Sequence, residues 1–395
     1  MIKLFWIKLR HLFSFILTRM MDFIITMAPQ QIKDKSILFI RLDSIGDYIL
    51  LRNYFNFIRA DEKYHNYKIT LCGNIIWRDL AEYFDNAVFD NFIWLDRKKF
   101  QEKIFYRYRF LKKIYELGFE VVINTTYSRE ILFGDSIVAI SKAKERIGCT
   151  GSNDNTAKWK RKLLSDSFYT ELLVSNNENL FEFYRNKEFF EQLLNRKLEI
   201  KRTNIECSDI KIQIPSQKDY ILISSGAQYK NRIWQPENYA KLIDEIFSST
   251  EYDIILVGSY SEKPLAETIV KLTDNSRLFD MTGKTNLIEI IKLVSDAKLV
   301  IANDTMGVHV AAAVRVPFVC ISNGQHFGRF NPYPEEMFED GYYIYPEEIS
   351  DRIGEFKELI EKYRFDAIHD INSILPDKVI ELVKSVIQKI EGRNK

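Results

Sequence analysis

The stretch Leu299–Asn323, LVIANDTMGVHVAAAVRVPFVCISN, constrains the fold more than any other part of the chain. It predicts a short buried strand, a polar turn, a helix of small residues and a second buried strand from Pro317 to Ile321. Two successive buried strands joined by a helix run parallel, which places the segment in an α/β layer structure. The turn Asn303-Asp304-Thr305-Met306-Gly307-Val308-His309 sits where the strand ends and the helix begins. Backbone N–H groups at a helix start lack intrahelical partners, and in open α/β sheets ligands bind beyond the C-terminal ends of strands. That geometry favours a phosphate, so a domain built around it is expected to use a nucleotide-linked substrate.

The same pattern recurs along the chain. Lys35–Leu42 (KSILFIRL) is an apolar run ending in Asp43-Ser44-Ile45-Gly46-Asp47, and an apolar helical pattern follows. Lys68–Cys72, Phe92–Leu95 and Val121–Asn124 read as further strands. The order restarts at Tyr220–Ser224, which leads into Ser225-Gly226-Ala227 and a helix from about Pro236. Asp253–Val257 leads into Gly258-Ser259. The predicted architecture is therefore α/β, with two doubly wound Rossmann-like domains facing across a cleft. The boundary falls in the polar, Pro215-containing segment Lys201–Lys218, whose Ile210–Ile214 could supply a strand. The divisions are a leader over residues 1–30, an N-terminal Rossmann-like domain over 31–205 and a C-terminal Rossmann-like domain over 206–395. Pro376–Ile390 reads as a closing helix, free to pack back on the N-terminal domain.

The polar oddities fall in the strand-to-helix turns. Gly46 allows a tight turn, and Asp47 is either the N-cap of the next helix or a general base. Arg41 and Ser44 flank that turn. Ser225 and Gly226 allow an anion to approach closely. Lys230 and Arg232 either form a solvated basic loop or neutralise a departing diphosphate. Gly258 and Glu262 follow a strand, so Glu262 is either a first-turn helix acid or a ribose ligand. Asp304, Thr305, Met306 and Gly307 form the phosphate-side turn, and His309 is either a ligand or a histidine held by its own fold. Ser322–Pro334, with His326 and Arg329, rims a pocket or forms a surface loop.

Composition narrows the classes. A net charge of +1 gives no global field for nucleic acid. Cys72, Cys149, Cys207 and Cys320 form no C-x-x-C pair and read as reduced thiols of a cytoplasmic protein. Five histidines without an H-E-x-x-H leave no expected protein-bound metal. Residues 1–27 are rich in Leu, Ile, Phe and Met and carry Lys3, Lys8, Arg10 and Arg19. Arg19 and Asp22 break the apolar run before the roughly 18–20 residues of a membrane span. The segment reads as an amphipathic helix, lying either on an anionic membrane surface or on the protein itself.

In this order the motifs resemble glycosyltransferase family 9, the ADP-heptose:lipopolysaccharide heptosyltransferases. The carriers are R-L-x-x-x-G-D at Arg41–Asp47, N-D-T-x-x-x-H at Asn303–His309 with its following V-P strand, G-x-x-x-E at Gly258–Glu262, and Arg146-Ile147-Gly148. The resemblance spans about residues 35 to 390. It implies a GT-B fold, no metal or other cofactor, and a nucleotide-sugar co-substrate, ADP-heptose. It further implies Asp47 as base, Glu262 on the ribose, and Asp304, Thr305 and the following amides on the donor phosphates. Two positions differ from the family's usual pattern. Arg232 stands where a Lys is common, and the glycine of the helix turn is displaced to Gly307.

The expected activity is inverting transfer of a sugar to a lipopolysaccharide-core or related lipid-linked glycan acceptor, with peripheral contact at the inner face of the cytoplasmic membrane. Other readings stay open: another GT-B hexosyl or N-acetylhexosaminyl transferase, a sugar-nucleotide epimerase, or a non-catalytic nucleotide-sugar-binding scaffold.

Overall fold

The computed structural model describes residues 17–175, 179–364 and 369–393. The chain divides into two compact units. Unit 1 takes the chain through Ser44, residues 54–178 and Asn186–Leu198; unit 2 takes Ile45–Asn53, residues 179–185 and the chain from Glu199 onward.

Unit 1 is built on β1 (Lys33–Arg41), β2 (Lys68–Asn74), β3 (Asn91–Leu95), β4 (Phe119–Asn124), β5 (Glu145–Cys149) and β6 (Glu171–Leu173). They form one sheet in the order β3-β2-β1-β4-β5-β6, parallel throughout. Unit 2 repeats the winding with β7 (Tyr220–Ser224), β8 (Asp253–Leu256), β9 (Leu278–Asp280), β10 (Leu299–Asn303), β11 (Phe318–Ile321) and β12 (Gly341–Ile344). Its order is β12-β11-β10-β7-β8-β9, again parallel. The central strands of unit 2, β7 and β10, are buried along their whole length, as parallel strands covered on both faces must be. In each unit the strand order reverses direction beside the first strand, between β1 and β4 and between β7 and β10. Those are the switch points at which such sheets bind ligands.

Register then places the turns. Ala302 pairs with Ser224 across β10 and β7, so Ser225-Gly226 and Asn303-Asp304 leave the sheet level with each other.

The long apolar runs became strands as expected. The short β5, β6, β9 and β12 lack such runs, and all three residues of β9 are only partly buried. The expected Ile210–Ile214 strand does not form. The Ile210 amide donates to the Cys207 carbonyl in a turn, which removes a donor a sheet ladder would need.

Residues 17–26 are helical, and the first sixteen residues of the leader lie outside the described residues. Met21 and Ile25 belong to the unit 1 core. Downstream, Tyr115 Oη donates to the Ala28 carbonyl at 2.8 Å, and Gln30 Nε2 donates to the Tyr115 and Ser141 carbonyls. Among the described residues no helix is long and apolar enough to cross a membrane. The closing helix, Pro376–Arg393, buries Val379, Val383, Val386 and Ile387 in the unit 2 core, beside the Pro236–Ser249 helix. All four cysteines are free thiols.

Candidate functional site

The C-terminal ends of β7 and β10 are tied together by one side chain. Asn303 is fully buried, its Nδ2 donates to the Ser225 carbonyl at 2.7 Å, and its Oδ1 accepts from Tyr239 Oη at 3.0 Å. The path of the loop after β7 is thus set by a residue at the end of β10. Glu262 closes on the same loop. It lies in the short 3-10 turn Tyr260–Glu262 and forms a capping box with Ser259, whose N and Oγ both donate to Glu262 Oε2, at 2.6 and 2.8 Å. Glu262 thus closes the start of the turn through Oε2. Its other oxygen faces Gly226: a Cβ at Gly226 would stand 1.8 Å from Oε1, and one at Gly258 would stand 2.9 Å from Oε2. Both glycines are places where only the absence of a side chain admits the carboxylate.

Asp304 anchors the opposite side. Its buried carboxylate Oδ2 accepts from Arg232 Nη2 at 2.9 Å and from Asn331 Nδ2 at 2.7 Å. Arg232 Nη2 also donates to the Asp304 carbonyl. Asn331 in turn accepts from Tyr345 Oη at 2.8 Å. Arg232 Nε is buried without a hydrogen-bond partner. Lys230, two residues earlier in the Lys230–Arg232 turn, is exposed. Thr305 occupies the N-cap position of the Met306–Val314 helix, but its hydroxyl donates to the Asn303 carbonyl and does not cap. The first-turn amides of that helix therefore have no side-chain cap. Met306 is half-buried, and Gly307 lies under the sheet, where a Cβ would stand 3.2 Å from Ala302 Cβ and 3.3 Å from Ser224 Cβ.

Asp47 belongs to unit 2. It is the third residue of the Ile45–Ile49 helix and half-buried, in the first turn and not at the N-cap. This helix packs on the Met306–Val314 helix. A Cβ on Gly46 would stand 2.3 Å from Cδ2 of His309, so the histidine ring fills the space that glycine leaves. Thr203 Oγ1 donates to the Ile49 carbonyl at 2.6 Å, and Arg52 Nη1 donates to the Asn204 carbonyl at 2.6 Å. The first glycine turn and the Asn303–His309 segment are thereby brought into contact through His309.

His309 is buried, with Nδ1 2.7 Å from Tyr333 Oη. Burial pushes its pKa down to about 4 from 6.5; nearby Asp304 opposes the shift and Arg232 adds to it. The ring is neutral at pH 7. In the unfolded chain it takes up a proton near pH 6.5, in the folded chain only near 4. The stability it contributes is therefore complete above pH 6.5 and is lost as pH falls toward 4. Between pH 7 and 5 this group should cost about 2 kcal/mol. Chemical denaturation of wild type and His309→Gln at both pH values checks it. An unchanged pH slope in the variant would remove His309 from that role.

The remaining predicted residues have the following surroundings, and His326 is near enough to Asp304 and Arg232 to feel both charges. Arg41, expected at the rim of a ligand site, is fully buried in unit 1. Its Nη1 donates to the Thr125 carbonyl at 2.8 Å, and Nε lies 2.9 Å from Asp43 Oδ2, so it braces the end of β1 against β4. The Asp43 carbonyl also accepts from Trp77 Nε1 at 3.0 Å. Ser44 is exposed at the end of unit 1. His326 Nδ1 donates to the Arg364 carbonyl at 2.8 Å, and burial lowers its pKa. Arg329 Nε donates to the buried Glu182 at 3.0 Å. Asn331, Tyr333, Tyr345 and Glu182 have no motif of their own, and a position inside the Ser322–Pro334 loop was the only signal for the first two. Among the described residues no three His, Cys, Asp or Glu side chains are grouped to hold a metal.

Comparison with known proteins agrees with this arrangement. The model of the family described as glycosyltransferase family 9 (heptosyltransferase) matches residues 107–338. Lipooligosaccharide heptosyltransferase 2 of Haemophilus influenzae is 35% identical over 91 residues, 22% of this chain and 26% of that protein. Lipopolysaccharide heptosyltransferase 3 of Escherichia coli is 25% identical over 122 residues, 30% of this chain and 35% of that protein. The chain thus spans about a quarter to a third of the length of the curated relatives it matches. Among solved structures, a glycosyl transferase family 9 protein from Veillonella parvula has a TM-score of 0.67 at 17% identity, covering 91% of this chain and 98% of that one. The E. coli heptosyltransferase WaaC with ADP has a TM-score of 0.64 at 11% identity, covering 89% and 99%. At these identities the likeness shows the fold, a GT-B arrangement of two doubly wound α/β units.

Proposed function

Because the chain belongs to glycosyltransferase family 9, we propose that it moves a sugar, heptose, from an ADP-linked donor to a lipopolysaccharide-core or related lipid-linked glycan, inverting the anomeric centre without a metal. The observation that carries the donor side is the convergence at the unit 2 switch point. Ser225-Gly226, Glu262, Asp304 and the uncapped start of the Met306–Val314 helix meet where a parallel sheet of this winding binds nucleotides. Glu262 Oε1 takes a ribose hydroxyl. The first-turn amides at Met306–Gly307 take the diphosphate, with Lys230 supplying mobile positive charge and Arg232 shaping the turn through Asp304.

In the reaction, the acceptor hydroxyl oxygen forms a bond to the anomeric carbon as the bond from that carbon to the diphosphate oxygen breaks. The hydroxyl proton passes to the Asp47 carboxylate. The electron pair leaves with the nucleoside diphosphate, whose charge the amides and Lys230 stabilise. One displacement inverts the configuration. A reducing cytoplasmic compartment suits the four free thiols.

A thermal-shift series with ADP-, UDP-, GDP- and dTDP-sugars tests the donor. ADP-heptose should raise Tm most, and Gly226→Ala should abolish most of that rise, because its Cβ displaces the Glu262 carboxylate. Preference for a uridine or thymidine donor would overturn the ADP assignment. Binding with neither transfer nor hydrolysis would instead indicate a nucleotide-sugar-binding scaffold.

A further inference from the structure

Unit 1 carries two outward helical faces that its own core does not use. The helix over residues 17–26 is apolar on both sides. Met21 and Ile25 point into the core, whereas Met20, Phe23, Ile24 and, just past the helix, Met27 are each more than half exposed. Their i, i+3, i+4, i+7 spacing makes them one stripe. The second face is the Lys158–Leu164 helix, KWKRKLL. Arg161 points inward and donates to the Gly151, Ser152 and Thr156 carbonyls. Trp159 and Leu163, one turn apart, are each more than half exposed, between the exposed Lys158, Lys160 and Lys162. The first helix reaches the turn that follows the second. The Arg19 guanidinium lies 4.3 Å from the ring centroid of Phe168, in the Asp166–Phe168 turn that follows the second helix.

We propose that these two faces dock unit 1 on the surface of an anionic lipid bilayer. Among the described residues neither helix is long enough to span one, and the charge pattern selects the occupant. The second helix has four basic residues and no acid, and it presents Trp and Leu beside its lysines. Such a surface seats its apolar side chains at the headgroup boundary while its lysines meet anionic headgroups. A protein partner reached through this face would have to be acidic, whereas a second copy would set these lysines against its own.

The experiment is co-sedimentation of the full chain with vesicles of phosphatidylcholine alone and of phosphatidylcholine with about one-third phosphatidylglycerol. Binding is read without any transfer assay, so it succeeds or fails separately from the proposed activity. Wild type should bind the anionic vesicles and release from them in high salt. Phe23→Glu with Ile24→Glu, and separately Trp159→Ala with Leu163→Ser, should each weaken binding at least about tenfold. Lys160→Glu with Lys162→Glu, which alters no buried contact, should do the same. Leu272→Glu, an exposed apolar position of unit 2, should change nothing. Absence of wild-type binding, or unaltered binding by either apolar double variant, would overturn the proposal. So would a wild-type dimer in sedimentation equilibrium that Phe23→Glu dissolves while vesicle binding is absent.

Discussion

Asp47→Asn should lower kcat for sugar transfer by about 10²–10⁴-fold, the range for loss of a general base, while ADP-sugar affinity stays within about twofold. The substitution keeps the shape but turns one carboxylate oxygen into an NH2 donor, which removes the charge and the ability to take up the acceptor's proton. Asp47 is held in place by its surroundings. Its five-residue helix is too short to be stable alone; it persists because Gly46 packs on His309 and because Thr203 and Arg52 fasten the following turn. Single-turnover transfer, with donor binding measured by calorimetry, separates chemistry from binding. Full transfer by the Asn variant would exclude Asp47 as base and leave the donor assignment standing.

Asp304→Ala should destabilise the protein by about 3 kcal/mol, lowering Tm by about 6–12 °C, and should also weaken donor binding. The carboxylate is buried and serves two partners at once, Arg232 on the β7 side and Asn331 in the loop after β11. Its removal leaves the Asn331 amide without this acceptor and Arg232 with only the Asp304 backbone carbonyl, and an unsatisfied buried group costs more than a normal hydrogen bond contributes. Arg232 is partly exposed, so the loss falls at the lower end of that for a fully buried pair. Asp304→Asn retains one acceptor oxygen and should recover about half of the stability. Thermal unfolding of both variants, without and with ADP, checks the pair. Equal Tm values for Asp304→Ala and wild type would mean that the ion pair does not hold the turn.

Much of unit 2 was legible because its signals are local. A parallel strand buried on both faces needs an unbroken apolar run, and Tyr220–Ser224 and Leu299–Asn303 have one. The turn residues Gly226, Gly258, Asp304 and Gly307 were visible as breaks in those runs. Short edge strands such as Leu278–Asp280 carry no such pattern, because exposed edges need no continuous apolar face. The histidine posed a different problem. At position 309 a ligand and a packed ring have the same spacing, and only the Tyr333 hydroxyl and the Gly46 backbone beside it distinguish them.

From sequence alone came the two α/β halves, the polar turns at their strand ends and the family to which they belong, since all three rest on patterns local in the chain. Tertiary structure alone decided which turns meet. It paired Arg232 with Asp304, tied Asn303 to the Ser225 loop, set Glu262 against Gly226 and placed the Asp47 helix with unit 2 although its turn begins in unit 1. Those contacts join residues far apart in the chain. They depend on sheet register and on the volume that each glycine leaves open, and neither quantity is written in any local stretch of residues.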